Sequence, residues 1–178
     1  MLETLWTWRG EAAGIAALAG TWLAFRHLHW PGFWRMWTAG LLLGAAVEFM
    51  TEPEWRYDLQ VYVWRDVSPF VMAGWGVMFA WVVALSDGLY RRWFGDRPGA
   101  GGLDPRRKLT DLLVGVPLLL GNELLGLHVL QVWRYAGILE WNTMLPVIGY
   151  PWEGVVALVF FLLAMPAAVR YARGNPVS

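Results

Sequence analysis

Two glutamates lie in otherwise apolar runs and are the residues of this chain best suited to chemistry. Glu48 and Glu123 each follow a Leu-Leu-Leu-Gly sequence, Leu41 to Gly44 and Leu118 to Gly121. A carboxyl inside an apolar span is costly, so it faces protein or water and is a functional candidate. Two carboxyls in one apolar pocket can supply an acid and a base, because each disfavours the other's charge. Glu48 and Glu123 are therefore the candidate catalytic pair, with Tyr57, Tyr135, Trp75 and Trp152 as candidate walls of a substrate site. Asn122 and His128 share the run with Glu123 and are further candidate substrate contacts. Glu153 is either a third carboxylate on the pocket or an acid favoured by the dipole of a helix N-terminus. The plainer alternative for Glu48 and Glu123 is that they cap loops or pair with Arg56 and Arg134.

Other chemistries are poorly supported. Cysteine is absent, which excludes disulfides and thiolate ligands. Three histidines, with no His-x-x-x-His or Glu-x-x-His spacing, give no metal or haem site. No phosphate-binding loop, dinucleotide fingerprint or nucleophile elbow is present, so no cofactor is expected. The formal net charge of zero implies no nucleic-acid surface.

The elements that must position these residues are duplicated. Leu41 to Gly44 recur 77 residues later, as do Trp64, Pro69 and Trp75 in Trp141, Pro146 and Trp152; Trp55-Arg56-Tyr57 recur after 78 residues as Trp133-Arg134-Tyr135. Landmarks kept in one order at a near-constant offset indicate an internal repeat. The composition, 57% hydrophobic and 16% charged, is that of a polytopic membrane protein, because several apolar runs approach the ~20 residues that cross a bilayer. The expected fold is an all-α membrane bundle of five spans: Ala12 to Leu28, Phe33 to Thr51, Pro69 to Leu85, Leu109 to Leu130 and Pro146 to Val169. Residues 1–32 form a leading helix, 33–95 and 109–173 the two repeat units, and 96–108 a linker, all in one domain.

Small residues should let the helices approach closely. Ala16, Gly20 and Ala24 form one such stripe; Gly40, Gly44, Glu48 and Glu52 form another, close-packing in its first half and acidic toward its end. Asp111, Gly115, Asn122 and Gly126 share a narrow face that should point into protein, and Asp111 itself reads as an N-terminal acid of its helix. Of 14 tryptophans, most fall near span ends, as interfacial anchors do. The first span has no basic segment before it, as a cleaved signal would, and is expected to remain as an anchor. Ten basic residues fall on one side of the five spans and four on the other (Arg9, Arg56, Arg65, Arg134). The basic bias places the N-terminus outside the cell membrane, the C-terminus in the cytoplasm and both aromatic loops outside. Repeats of two spans each share one orientation, with an axis along the membrane normal.

A span ending in Glu, an aromatic loop with Tyr, and a Pro that opens a Trp-bearing span resemble bacterial membrane proteins of carotenoid biosynthesis, of the carotenoid hydratase-like and lycopene cyclase-like kind. The residues that carry the resemblance are Glu48, Tyr57, Pro69 and Trp75, with Glu123, Tyr135, Pro146 and Trp152. It implies acid-catalysed chemistry on an isoprenoid double bond. Two other classes fit the same sequence: a non-catalytic subunit of a larger membrane complex, and a small proton-coupled transporter. The expected partners are membrane lipid, a hydrophobic small molecule and other membrane subunits.

Overall fold

The computed structural model describes residues 6–95, 104–135 and 143–174. Five helices dominate: α1 (Arg9–His27), α2 (Phe33–Thr51), α3 (Pro69–Phe94), α4 (Pro105–Leu124) and α5 (Trp152–Arg173). Among the described residues, three helical stretches are long and apolar enough to cross a membrane: Pro69–Phe94, Pro105–Leu130 and Trp152–Arg173. Helix α2 begins where expected, because Gly32 takes a left-handed conformation (φ 80°) that glycine adopts without steric cost. Helix α3 starts at Pro69, with the Ser68 hydroxyl accepting from Phe70 N–H, a normal N-cap. It runs nine residues past the expected Leu85, which carries Asp87 and Tyr90 into its buried face.

Helix α3 is the hub and touches the other four. Its Phe79, Ala80, Val82 and Val83 are fully buried against Phe25, Met36, Leu119, Leu158 and Leu162. The α2–α3 contact is close because glycines form it. A methyl on Gly40 would lie 2.9 Å from Gly76 Cα, and one on Gly44 would lie 2.2 Å from Trp75 Cβ. The counterpart glycine in the repeat behaves differently: Gly121 faces open space. The stripe expected on α1 is also displaced. Ala16 and Gly20 are exposed and nothing lies near Gly20; Gly10 and Gly14, on another face, meet Leu59, Val132 and Phe70 instead.

The two copies of Trp-Arg-Tyr pair with each other. They form strands β1 (Trp55–Tyr57) and β2 (Trp133–Tyr135), antiparallel, with Trp55 opposite Tyr135, Arg56 opposite Arg134 and Tyr57 opposite Trp133. The register is self-complementary. Its aromatic cross-strand pairs, Trp55–Tyr135 at 4.8 Å and Tyr57–Trp133 at 6.2 Å, are of a kind worth roughly 0.2–1 kcal/mol each. The extra residue in the second copy falls where α2 is followed by a tight 3₁₀ turn, Glu52–Glu54, while α4 is followed by a wide π turn, Leu125–Leu130. A π turn takes more residues per turn than an α-helix, and a 3₁₀ turn fewer.

The start of α1 is tied to the same end. Arg9 donates to the carbonyls of Leu130 and Gln131 and to Asp58, and the buried Glu11 accepts from Gln60 N–H. Helix α5 starts at Trp152, six residues after the expected Pro146. The intervening chain forms a small hairpin, β3 (Met144–Leu145) with β4 (Tyr150–Pro151), which turns through Gly149 at φ 58°.

At the opposite end, a buried ion network joins α3, α4 and α5. Arg170 Nε donates to Asp87 Oδ1 (2.7 Å), Nη2 to Ser86 Oγ (2.7 Å), and Nη1 to Asp111 Oδ2 (2.9 Å), with a second bond from Nη2 to Asp111 Oδ1. Arg107 and Arg173 complete the shell of Asp87, at 3.0 Å and 2.7 Å. Asp111 is fully buried, so it is not merely an acid at a helix start. It is one arm of a bidentate guanidinium–carboxylate pair.

Candidate functional site

A cavity of about 250 Å³ opens among all five helices at the end that carries β1 and β2. Its wall on the α1 side is made of small residues, Gly10, Ala13, Gly14 and Ala17. They recur at the i, i+3, i+4, i+7 spacing of one helix face. The opposite walls are larger and apolar, including Phe70, Trp75, Leu119 and Phe161. Both Glu48 and Glu123 line this cavity.

The two carboxyls have different surroundings. Glu48 is 3% exposed and accepts two hydrogen bonds, from Tyr57 Oη to Oε2 and from Trp75 Nε1 to Oε1, each 2.8 Å. The Trp75 bond depends on Gly44, which lets the indole lie flat against α2. The Tyr57 bond depends on the strand pair, which sets the phenol over the end of α2. Burial pushes the Tyr57 phenol well above its ordinary pKa, and the neighbouring Glu48 pushes it further, so Tyr57 stays a donor. Glu123 has less support: its Oε2 is buried and forms no hydrogen bond, and the donor beside the carboxyl is the indole N–H of Trp133, which is itself buried and forms none at bonding distance. Trp133 fits there because Gly126, in the π turn, leaves room; a methyl on Gly126 would lie 1.9 Å from its ring.

Neither glutamate pairs with the arginines considered from sequence. Arg56 bonds Asp66 at 2.6 Å, and Arg134 is exposed opposite it. Among the described residues no group of three His, Asp or Glu is placed to hold a metal ion.

Of the other residues singled out by sequence, Trp75, Tyr57 and Asn122 line the cavity. Tyr135 lies behind the wall, packed on Trp55 and on Tyr150; burial and then Glu123 raise its pKa. Trp152 is 53% exposed and outside the cavity wall, so the two tryptophans of the repeat are not equivalent. Glu153 is exposed in the first turn of α5, the dipole-favoured position. His128 is exposed, with Nε2 2.7 Å from the Ile148 carbonyl on the hairpin. Trp133, Tyr150, Phe161 and the small face of α1 were not singled out as site residues. The Gly10-x-x-Ala13-Gly14-x-x-Ala17 spacing was the legible signal for the last of these. Trp141 lies outside the described residues.

Comparison of the chain with protein-family models, curated proteins and solved structures finds no match.

Proposed function

We propose that the chain spans the membrane five times and acts on an apolar, isoprenoid-like substrate by proton transfer between Glu123 and Glu48. The observation that carries this reading is the asymmetry of the pair in one apolar cavity. Glu48 accepts two donors, which favour a carboxylate. Glu123 is buried with one indole N–H beside it and no formed hydrogen bond on Oε2, so an ion there would be poorly solvated and the carboxyl keeps its proton. Glu123 is then the acid and Glu48 the base.

The chemistry balances without a redox partner. The Glu123 O–H protonates a carbon–carbon double bond and leaves a carbocation. The faces of Trp75, Trp133 and Phe161 attract that cation. Glu48 removes a proton from a carbon next to the cation, either at once, so that the double bond moves, or after a second double bond of the substrate has attacked the first cation and closed a ring. Return of the proton from Glu48 to Glu123 restores the site. The resemblance to membrane proteins of carotenoid biosynthesis agrees with this class of reaction.

The five-span topology rests, for the two less apolar helices, on length. Helices α1 and α2 have 19 residues each, about 28 Å at 1.5 Å per residue, which matches a hydrocarbon core of roughly 30 Å. Nine described basic residues at the ion-network side against four at the strand side support a strand end that faces outside. The self-pairing of β1 with β2 supports a two-fold relation between the halves, since identical antiparallel strands are related by an axis perpendicular to their sheet.

Solvent deuterium tests the reaction. Membranes bearing the protein, incubated in heavy water with an isoprenoid mixture, should place deuterium in a recovered polyene, and Glu123→Gln membranes should not. Equal incorporation with Glu123→Gln would overturn the acid assignment.

A further inference from the structure

A second cavity, of about 590 Å³, lies at the other end of the bundle, between the start of α2 and the ends of α3 and α5. Its wall carries three guanidinium groups, Arg35, Arg91 and Arg173, and one carboxylate, Asp87. Asp87 contributes little free negative charge, because both of its oxygens are engaged. Oδ1 accepts from Arg170 and Arg107, and Oδ2 from Arg173. Arg35 and Arg91 form no ion pair among the described residues.

Local structure adds to the positive field. Phe33, Trp34 and Arg35, the first turn of α2, line the cavity. Gly32 has no side chain with which to cap that turn, so the first N–H groups of α2, at the positive end of the helix dipole, have no side-chain cap. Arg173 is fixed across Gly32: a methyl there would lie 2.7 Å from Arg173 Cγ. Arg35 reaches toward the end of α5, with its Nη1 3.2 Å from where a methyl on Gly174 would sit. The wall also carries Trp30 and Trp34, the residue type that sits at a lipid headgroup boundary.

Topogenic arginines alone would need no cavity among them. We propose that this cavity binds a phosphate group, held by Arg35, Arg91 and the first turn of α2, with the partly buried Arg173 as the anchor. Guanidinium groups suit phosphate because they offer paired donors in a plane. The group is either the headgroup of an anionic lipid or free inorganic phosphate. This site is separate from the carboxyl pair and does not rest on the proton-transfer reading.

The test uses the full chain purified in detergent. Thermal unfolding is followed while inorganic phosphate replaces chloride at matched ionic strength. In parallel, native mass spectrometry counts the phosphatidic acid retained from vesicles of phosphatidylcholine with phosphatidic acid. Arg35→Gln/Arg91→Gln is the test variant. Arg92→Gln is the control, since Arg92 is exposed and outside the cavity wall. The expected result is that one ligand binds the wild type and binds the double variant at least about tenfold more weakly, the order of one lost charge-assisted bond. Response to phosphate identifies the free ion; retention of phosphatidic acid without that response identifies the lipid. Binding of neither ligand overturns the proposal. So does an equal loss with Arg92→Gln, which would reduce the effect to surface charge.

Discussion

Replacing Arg170 by Leu should be the most destabilising single change at the arginine end of the bundle. The guanidinium donates to Asp87, Ser86 and twice to Asp111, and its side chain is 9% exposed. Leucine would leave Asp111, which is 0% exposed, with no cation. Breaking a buried pair from one side costs about 3–5 kcal/mol, because a charge is left uncompensated. Asp87 is less affected, as Arg107 and Arg173 still bond it. The second variant isolates the cause. Asp111→Leu/Arg170→Leu removes both charges, and apolar replacement of a buried pair is often neutral or better, so the double variant should recover most of the loss. The assay is reversible unfolding in mixed micelles, monitored by tryptophan fluorescence. A cost below about 1 kcal/mol for Arg170→Leu, or a double variant no better than the single, would refute the reasoning, since the network would then contribute like a surface pair.

Two other outcomes follow from the geometry. Gly44→Ala should lose about 1–3 kcal/mol through overpacking, because its methyl would lie 2.2 Å from Trp75 Cβ, whereas Gly121→Ala should be neutral or better in the same unfolding assay. The chain has no cysteine, so single cysteines report topology cleanly: Val63→Cys should react with an impermeant maleimide from outside and Arg92→Cys only from inside, and labelling of both from one side would contradict the five-span topology.

Much of the frame was legible because it follows from short-range rules. Gly32, Pro69 and the Gly40, Gly44, Glu48 stripe state where α2 and α3 begin and which faces meet, and the structure has them so. The repeat misled where identical residues have different neighbours. Gly121 matches Gly44 in sequence but faces open space, and Trp152 matches Trp75 but is exposed. The π turn after α4 and the hairpin before α5 change the phase of the second copy, and nothing in a pattern of apolar residues encodes such a phase change. The ion network was missed for a different reason. Asp87, Asp111 and Arg170 each lie near a helix end, where a charge is ordinary. Only the packing of three helices shows that they share one depth.

The most direct test of the carboxyl pair is infrared spectroscopy of the protein with isotope-labelled glutamate. The account predicts one buried protonated carboxyl, seen as a C=O stretch that persists at neutral pH. Glu123→Gln should remove it, and Glu48→Gln should leave it in place. A band that survives Glu123→Gln and disappears with Glu48→Gln, or the absence of any such band, would contradict the assignment of Glu123 as the acid and Glu48 as the base.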